Sequence, residues 1–143
     1  MNARQPEPTF FVDQNLCGLF AAHLRLAGLR IEELQDHFPP GTRDVDWLPF
    51  VGEKGWVAVT MDHLKSDPEE QVALMVHGVR VFVLVGKRTH QEHADFFLRK
   101  LRWVRRTLAA HLDPFLARLY IASGDHKLTT LADFMDAQAR RRH

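Results

Sequence analysis

The stretch Thr9–Leu16, TFFVDQNL, decides the fold. Phe10, Phe11 and Val12 are strand residues by their aromatic and β-branched character. They run straight into Asp13, Gln14 and Asn15, and then into an amphipathic segment. Over Asn15–Ala27, Leu16, Leu19, Phe20, His23, Leu24 and Ala27 share one helical face, and Gly28 supplies the stop. A buried strand that ends on a carboxylate and turns into a helix is the opening unit of a parallel α/β sheet. The question it raises is why a charge stands at that end.

Outward from this unit the alternation continues. Leu29–Leu34 reads as a short strand, and His37–Thr42, with its Pro-Pro-Gly, as a loop. Arg43–Lys54 has apolar residues at helical spacing, but Pro49 and Gly52 predict a short or irregular helix. Trp56–Thr60 is the next strand. Asp67, Pro68 and Glu70 form a helix-start signature, with Asp67 as N-cap, for a helix that runs to His77 and stops at Gly78. Val79–Val85 is nearly unbroken in apolar residues, as a strand covered on both faces should be. A long helix from about His90 to Leu112 leads through the break at Asp113-Pro114 to a last strand, Phe115–Ala122. The remainder, Ser123–His143, predicts a helical or frayed tail ending in Arg140–Arg142. The expected fold is α/β: a three-layer α/β/α sandwich on a mostly parallel sheet of about five strands, with right-handed crossovers.

The chain of 143 residues has the length of one domain, with a polar leader over 1–8 and a tail over 124–143, and a hydrophobic fraction of 45% suffices for a core. A formal charge of +1 means that any nucleic-acid affinity must come from local clustering. The single cysteine, Cys17, excludes an internal disulfide and a multi-cysteine zinc site and suits a reducing compartment. No signal-type apolar run opens the chain, and no stretch approaches the roughly 20 apolar residues that span a membrane. A soluble, cytoplasmic protein without a membrane partner is therefore expected.

In open parallel sheets the working crevice lies beyond the carboxyl ends of the strands. Asp13 and Asp62 each fall just past the apolar part of a strand and point to that crevice. Strands are spaced by roughly 4.8 Å, so two such carboxylates repel unless a proton or cation intervenes, and a hard divalent ion between them is the expected remedy. Oxygen-only ligands favour Mg²⁺ or Mn²⁺ over zinc. A third acid comes from RDVDW, where only one of Asp44 and Asp46 can face the crevice; Asp44 is favoured and Asp46 is the alternate. Singly, each aspartate also reads as a turn former or a first-turn helix residue. Together, with Thr60 two residues before Asp62 and Asn15 two residues after Asp13, they read as a site.

These segments, Phe11–Leu16, Gly41–Trp47 and Gly55–Asp62, resemble the PIN-like domains, and within them the branch of VapC-type toxins of bacterial toxin–antitoxin pairs. The likeness rests on a strand ending in an acid and Asn, an Asp-x-x-Trp segment and a strand ending in Thr-x-Asp, in this order. It spans about Thr9 to Val85. The resemblance implies a metal-dependent ribonuclease that hydrolyses RNA phosphodiester bonds with Mg²⁺ or Mn²⁺. Carried over residue by residue, Asp13, Asp44 and Asp62 are the metal-holding catalytic acids, Thr60 is the hydroxyl beside Asp62, Asn15 orients Asp13, and Lys65 contacts substrate phosphate. It also implies an antitoxin that covers the crevice, and self-association as a homodimer. Two departures stand out: Gln14 replaces a Glu, and Gly86-Lys87 stands where a fourth carboxylate is expected after Val79–Val85.

Arg99, Arg102 and Arg106 fall near one face of the long helix and form a basic stripe suited to RNA phosphates, or else a solvated helix face. His90 and His93 are spaced unlike the HExxH zinc motif and read as the first turn of that helix. Two further functions compete. A receiver-like signalling domain shares the sheet type, but it places two adjacent acids after the first strand and a lysine after the last. A catalytically degenerate PIN-like module that binds RNA or protein is favoured by Gln14 alone.

Overall fold

A computed structural model describes residues 7–61 and 68–141. Asp62, Lys65 and Asp67 lie outside the described residues, as do the leader through Pro6 and Arg142. Six strands, β1 (Thr9–Val12), β2 (Arg30–Glu33), β3 (Val57–Met61), β4 (Arg80–Val85), β5 (Phe115–Tyr120) and β6 (His126–Thr130), form one sheet. The described residues also form six α-helices, α1 (Leu19–Leu26), α2 (Asp44–Lys54), α3 (Pro68–Val76), α4 (His90–Arg99), α5 (Leu101–Ala110) and α6 (Leu131–Arg141), and two short 3-10 helices, Gln14–Leu16 and Leu34–Asp36.

The strand order is β2-β1-β3-β4-β5-β6, and every neighbouring pair is parallel except β5 and β6. The chain moves from β1 outward to β2, and later from β3 the other way to β4. With right-handed crossovers this reversal sends α1 to one face and α2 and α3 to the other. The step from β4 to β5 runs the same way as that from β3 to β4 but carries α4 and α5 on the face of α1, so this crossover has the hand opposite to the expected one. Phe10, Val12, Val57, Val59, Phe82 and Leu84 accordingly pack with residues of α1, α4 and α5. The alternate residues Phe11, Ala58, Val81 and Val83 pack with Trp47, Leu48 and Val51 of α2 and Leu74 of α3. This is the three-layer, mostly parallel sandwich that the sequence predicts.

The first helix begins only at Leu19, after a 3-10 turn over Gln14–Leu16 and a break at Gly18, and it leaves Leu19 exposed rather than on the apolar face. Three further elements differ from the sequence-based expectation. First, α2 is a full helix of 11 residues with Pro49 inside it. Proline removes one backbone donor from the ladder, but Trp47, Leu48 and Val51 are buried from α2 and hold it against the sheet. Gly52 is not a breaker either: a Cβ there would lie 2.2 Å from the carbonyl oxygen of His77, so glycine permits the close approach of α2 to the end of α3. Second, the long helix is two helices that abut at Lys100, whose N–H is shared between the carbonyls of Phe96 and Phe97 at 3.0 and 3.1 Å. The Lys100 ammonium is drawn to the Gly124 carbonyl and to His126 Nδ1, both at 3.0 Å. Third, the tail is neither frayed nor wholly helical. β6 returns antiparallel to β5 through a turn in which Gly124 N–H donates to Tyr120 O at 2.8 Å, so the sheet has six strands rather than about five. Pairing β6 satisfies a backbone edge that β5 would otherwise expose. Thr130 then caps α6, accepting from Asp133 N–H at 3.2 Å while its own N–H donates to Asp133 Oδ2 at 3.0 Å. No helix among the described residues is long and apolar enough to cross a membrane.

Candidate active site

The reversal of winding leaves a crevice at the carboxyl ends of β1 and β3, which are hydrogen-bonded neighbours. Asp13 stands at this point. Its N–H still donates to Val59 O at 3.4 Å, which continues the β1–β3 register past the end of β1. Its side chain is 3% exposed, and the Thr60 hydroxyl, itself fully buried, donates to Asp13 Oδ2. The alternation of strand residues explains this pairing: Thr60 belongs to the same sheet face as Ala58, the face covered by α2 and α3.

Asp44 reaches the same face from the first turn of α2, where a carboxylate is favoured by the helix dipole. It is 8% exposed, and Trp47 Nε1 donates to its Oδ1 at 2.9 Å. The Trp47 ring in turn packs against Phe11 with centroids 5.3 Å apart. One buried indole therefore ties the Asp44 carboxylate to the strand that ends in Asp13. A second tie comes from Gln14, whose Oε1 accepts from Gly41 N–H at 3.0 Å and anchors the loop before α2. The two-residue spacing separates Asp46 from Asp44: Asp46 faces solvent and pairs with Arg43 at 3.5 Å.

The supporting residues are distributed unevenly. Thr60 touches Asp13, whereas Asn15 is exposed and makes no hydrogen bond to it, so the hydroxyl and not the amide orients the carboxylate. Asp62 follows Met61 in the chain and, like Lys65, lies outside the described residues. Arg99, Arg102 and Arg106 are exposed on α4 and α5, on the layer opposite the one that carries Asp44. Lys87 and Arg88, also exposed, follow β4 at the carboxyl edge of the sheet, where the crevice lies.

Other ionisable groups near this edge serve the fold. Glu33, buried at the end of β2, accepts from Gly18 N–H and from Arg25 Nη1, each at 2.7 Å, and so caps α1 while neutralising Arg25. Nothing in the sequence around Glu33 distinguishes it, since its partners lie 15 and 8 residues away. The Cys17 thiol points to the Asp13 carbonyl at 3.3 Å. Burial, reinforced by the charges of Glu33 and Asp13, pushes its pKa up, so it stays protonated. His90 Nδ1 accepts from Phe20 N–H at 3.3 Å, and His93 is buried in the adjoining turn of α4.

His93 carries a pH consequence. Its ring is 1% exposed, and burial is the main cause that holds its pKa below the ordinary value of 6.5. An unfolded chain then binds a proton that the folded chain refuses, between the lowered pKa and 6.5. Stability is complete above 6.5 and is lost as the pH falls below it, by up to about 1.4 kcal/mol per pH unit for one proton. Thermal unfolding followed from pH 7.5 to 5 should show Tm falling below 6.5, and His93→Phe should flatten that fall; an unchanged slope in the variant would refute the assignment to His93.

The donor set suits a hard divalent cation: Asp13 and Asp44 supply carboxylate oxygens, Thr60 a hydroxyl, and the cysteine sulfur turns to backbone. Among the described residues no three His, Cys, Asp or Glu side chains converge on a metal position.

The family profile for PIN-like domains matches residues 8–86. This chain belongs to the PIN-like domain family. The matched segment runs from the residue before β1 to the one after β4, so it contains Asp13, Asp44, Thr60 and Asp62. The α4–α6 half of this PIN-like domain lies beyond the match. No curated protein and no solved structure matches the chain.

Proposed function

We propose that this PIN-like domain is a metal-dependent ribonuclease, with Asp13, Asp44 and Asp62 holding Mg²⁺ or Mn²⁺ and RNA as substrate. One observation carries the reading. At the switch point of the sheet two buried carboxylates are each held by a neutral donor, Asp13 by a hydroxyl and Asp44 by an indole N–H. A neutral donor fixes a carboxylate's rotamer without itself cancelling the charge, as the partners of metal ligands do.

When bound, a divalent ion supplies a water of lowered pKa and charge neutralisation at the phosphoryl oxygens. The chain's own residues do the rest. Thr60 orients Asp13, Trp47 orients Asp44, and the Gln14–Gly41 hydrogen bond keeps α2 against β1. Burial on the α2 and α3 face excludes water from around the carboxylates and strengthens their field. Lys87 and Arg88, at the same edge of the sheet, are the cations suited to steer an RNA backbone into the crevice; the arginines of α4 and α5 lie on the other layer. As a toxin, the protein would be silenced by a cognate antitoxin covering this crevice.

The test is incubation of purified full-length protein with mixed cellular RNA in Mn²⁺ or Mg²⁺, with and without EDTA. Discrete fragments that disappear in EDTA are expected. A second reading, a PIN-like module that binds RNA without cutting, is favoured by the neutral Gln14 and by Gly86-Lys87 in place of an acid. It predicts no fragments and equal RNA retention in metal and in chelator.

A further inference from the structure

A cavity of about 650 Å³ opens at the amino-terminal edge of the sheet, the end opposite Asp13. It is lined by the first residue of β1, Thr9, the first of β4, Arg80, and Trp56 just before β3, and on its other side by the end of α5 with Leu108 and Leu112. Four residues of roughly 3.3 Å rise each separate Thr9 from the strand end that carries Asp13, so this cavity and the acidic crevice are separate places.

Its charge is one-sided. Lys54, Arg80 and Arg105 line it against one carboxylate, Glu7, a balance of three to one. Glu7 is engaged by Arg105 at 3.4 Å. Arg80 is half-buried, and burial pushes its pKa down, which is the sign of a guanidinium held in poor solvent. Its Nη1 donates to the carbonyls of Leu108 and His111 at 3.1 and 3.2 Å, capping the end of α5. Its Nε and Nη2 make no hydrogen bond, and no carboxylate pairs with it, among the described residues. A desolvated cation is stable in proportion to the acceptors it meets, and this one keeps its remaining donors for something else. The apolar side is equally open: Leu112 is 79% exposed at the mouth, beside the buried Leu108.

We infer that this cavity binds a small organic anion, whose carboxylate or phosphate meets Arg80 with Lys54 and Arg105 and whose apolar body rests on Leu108 and Leu112. The volume lies in the range of small-molecule sites, and the mixture of an apolar wall with a few convergent polar groups is their usual construction. Fork-shaped guanidinium groups match either oxyanion.

The experiment is a titration of the ¹⁵N-labelled full chain with phenyl phosphate, benzoate, neutral benzyl alcohol and inorganic phosphate, read by amide shifts. Phenyl phosphate or benzoate should shift Thr9, Gly55, Arg80 and Leu112 saturably and leave Asp13 and Thr60 unmoved; which of the two binds more tightly identifies the oxyanion. A Lys54→Ala, Arg105→Gln double variant, at exposed positions, should bind about tenfold more weakly with unchanged Tm; Arg80 is kept because it caps α5. Equal binding of benzyl alcohol, equal binding of inorganic phosphate, shifts centred elsewhere, no saturation by about 10 mM, or an unaffected double variant would each overturn the inference. An Asp13→Asn chain should bind the probe normally, so the outcome is independent of the nuclease reading.

Discussion

Asp13→Asn should abolish RNA cleavage while leaving the fold intact. Asparagine has the same size and keeps an oxygen to accept from the Thr60 hydroxyl, so the buried pair at the end of β1 remains satisfied. What is lost is the negative charge on which a cation depends. Removal of a mere orienting partner costs about 10–100-fold in metal affinity or activity, and removal of a ligand should exceed that, taking initial rates down by at least about 100-fold. Thr60→Val supplies the graded comparison: the carboxylate stays but its hydroxyl partner goes, and a loss within the 10–100-fold range is expected. Initial rates in Mn²⁺ with matched Tm values decide the matter. Cleavage by the Asn variant at the native rate would remove Asp13 from the site and with it the proposed chemistry.

Trp47→Ala should be the most damaging single change to stability, at about 3–5 kcal/mol by denaturant unfolding. The indole is 1% exposed, packs against Phe11, and is the donor to Asp44, so its deletion leaves both a void and a carboxylate without that hydrogen bond. Trp47→Phe separates these roles. It retains much of the ring packing and should cost less than the alanine variant, but it has no N–H for Asp44. Cleavage should then fall by about 10–100-fold at a temperature where the protein is fully folded. A Phe variant that cleaves at the native rate would show that Asp44 needs no fixed orientation.

Much of this architecture was legible before any coordinates. The unbroken apolar run of β4 and the strand-to-helix order around Asp13 announce a covered parallel sheet, because side-chain period and burial are local properties. Helical spacing says that only one of Asp44 and Asp46 can face inward; the structure buries Asp44 and leaves Asp46 at the surface with Arg43. Local rules failed where a distant partner decides. Pro49 and Gly52 both argue against a helix, yet α2 persists because Trp47, Leu48 and Val51 bury from it and Gly52 meets His77 across the layer. The tail has little apolar content, yet β6 forms because β5 offers an edge. A sign was present there: Thr130 and Asp133 stand three apart, the spacing of a reciprocal cap.

The basic helix shows the same division. Its arginines are periodic in the sequence, but periodicity says only that they share a face. That this face belongs to the layer opposite Asp44 depends on the crossover from β4 to β5, which carries α4 and α5 on the face of α1 and not on that of α2 and α3. By itself, then, the sequence determined the sheet type, the acids at the strand ends and the membership of the PIN-like family, since all three are written in residues close together along the chain. Only the tertiary structure decided that Thr60 rather than Asn15 holds Asp13, that Trp47 joins Asp44 to β1, and that Arg80 stands beside a cavity at the far edge. The contacts of Thr60 with Asp13 and of Trp47 with Phe11 join residues far apart in the sequence, where no local pattern announces them, and burial is what selects their partners.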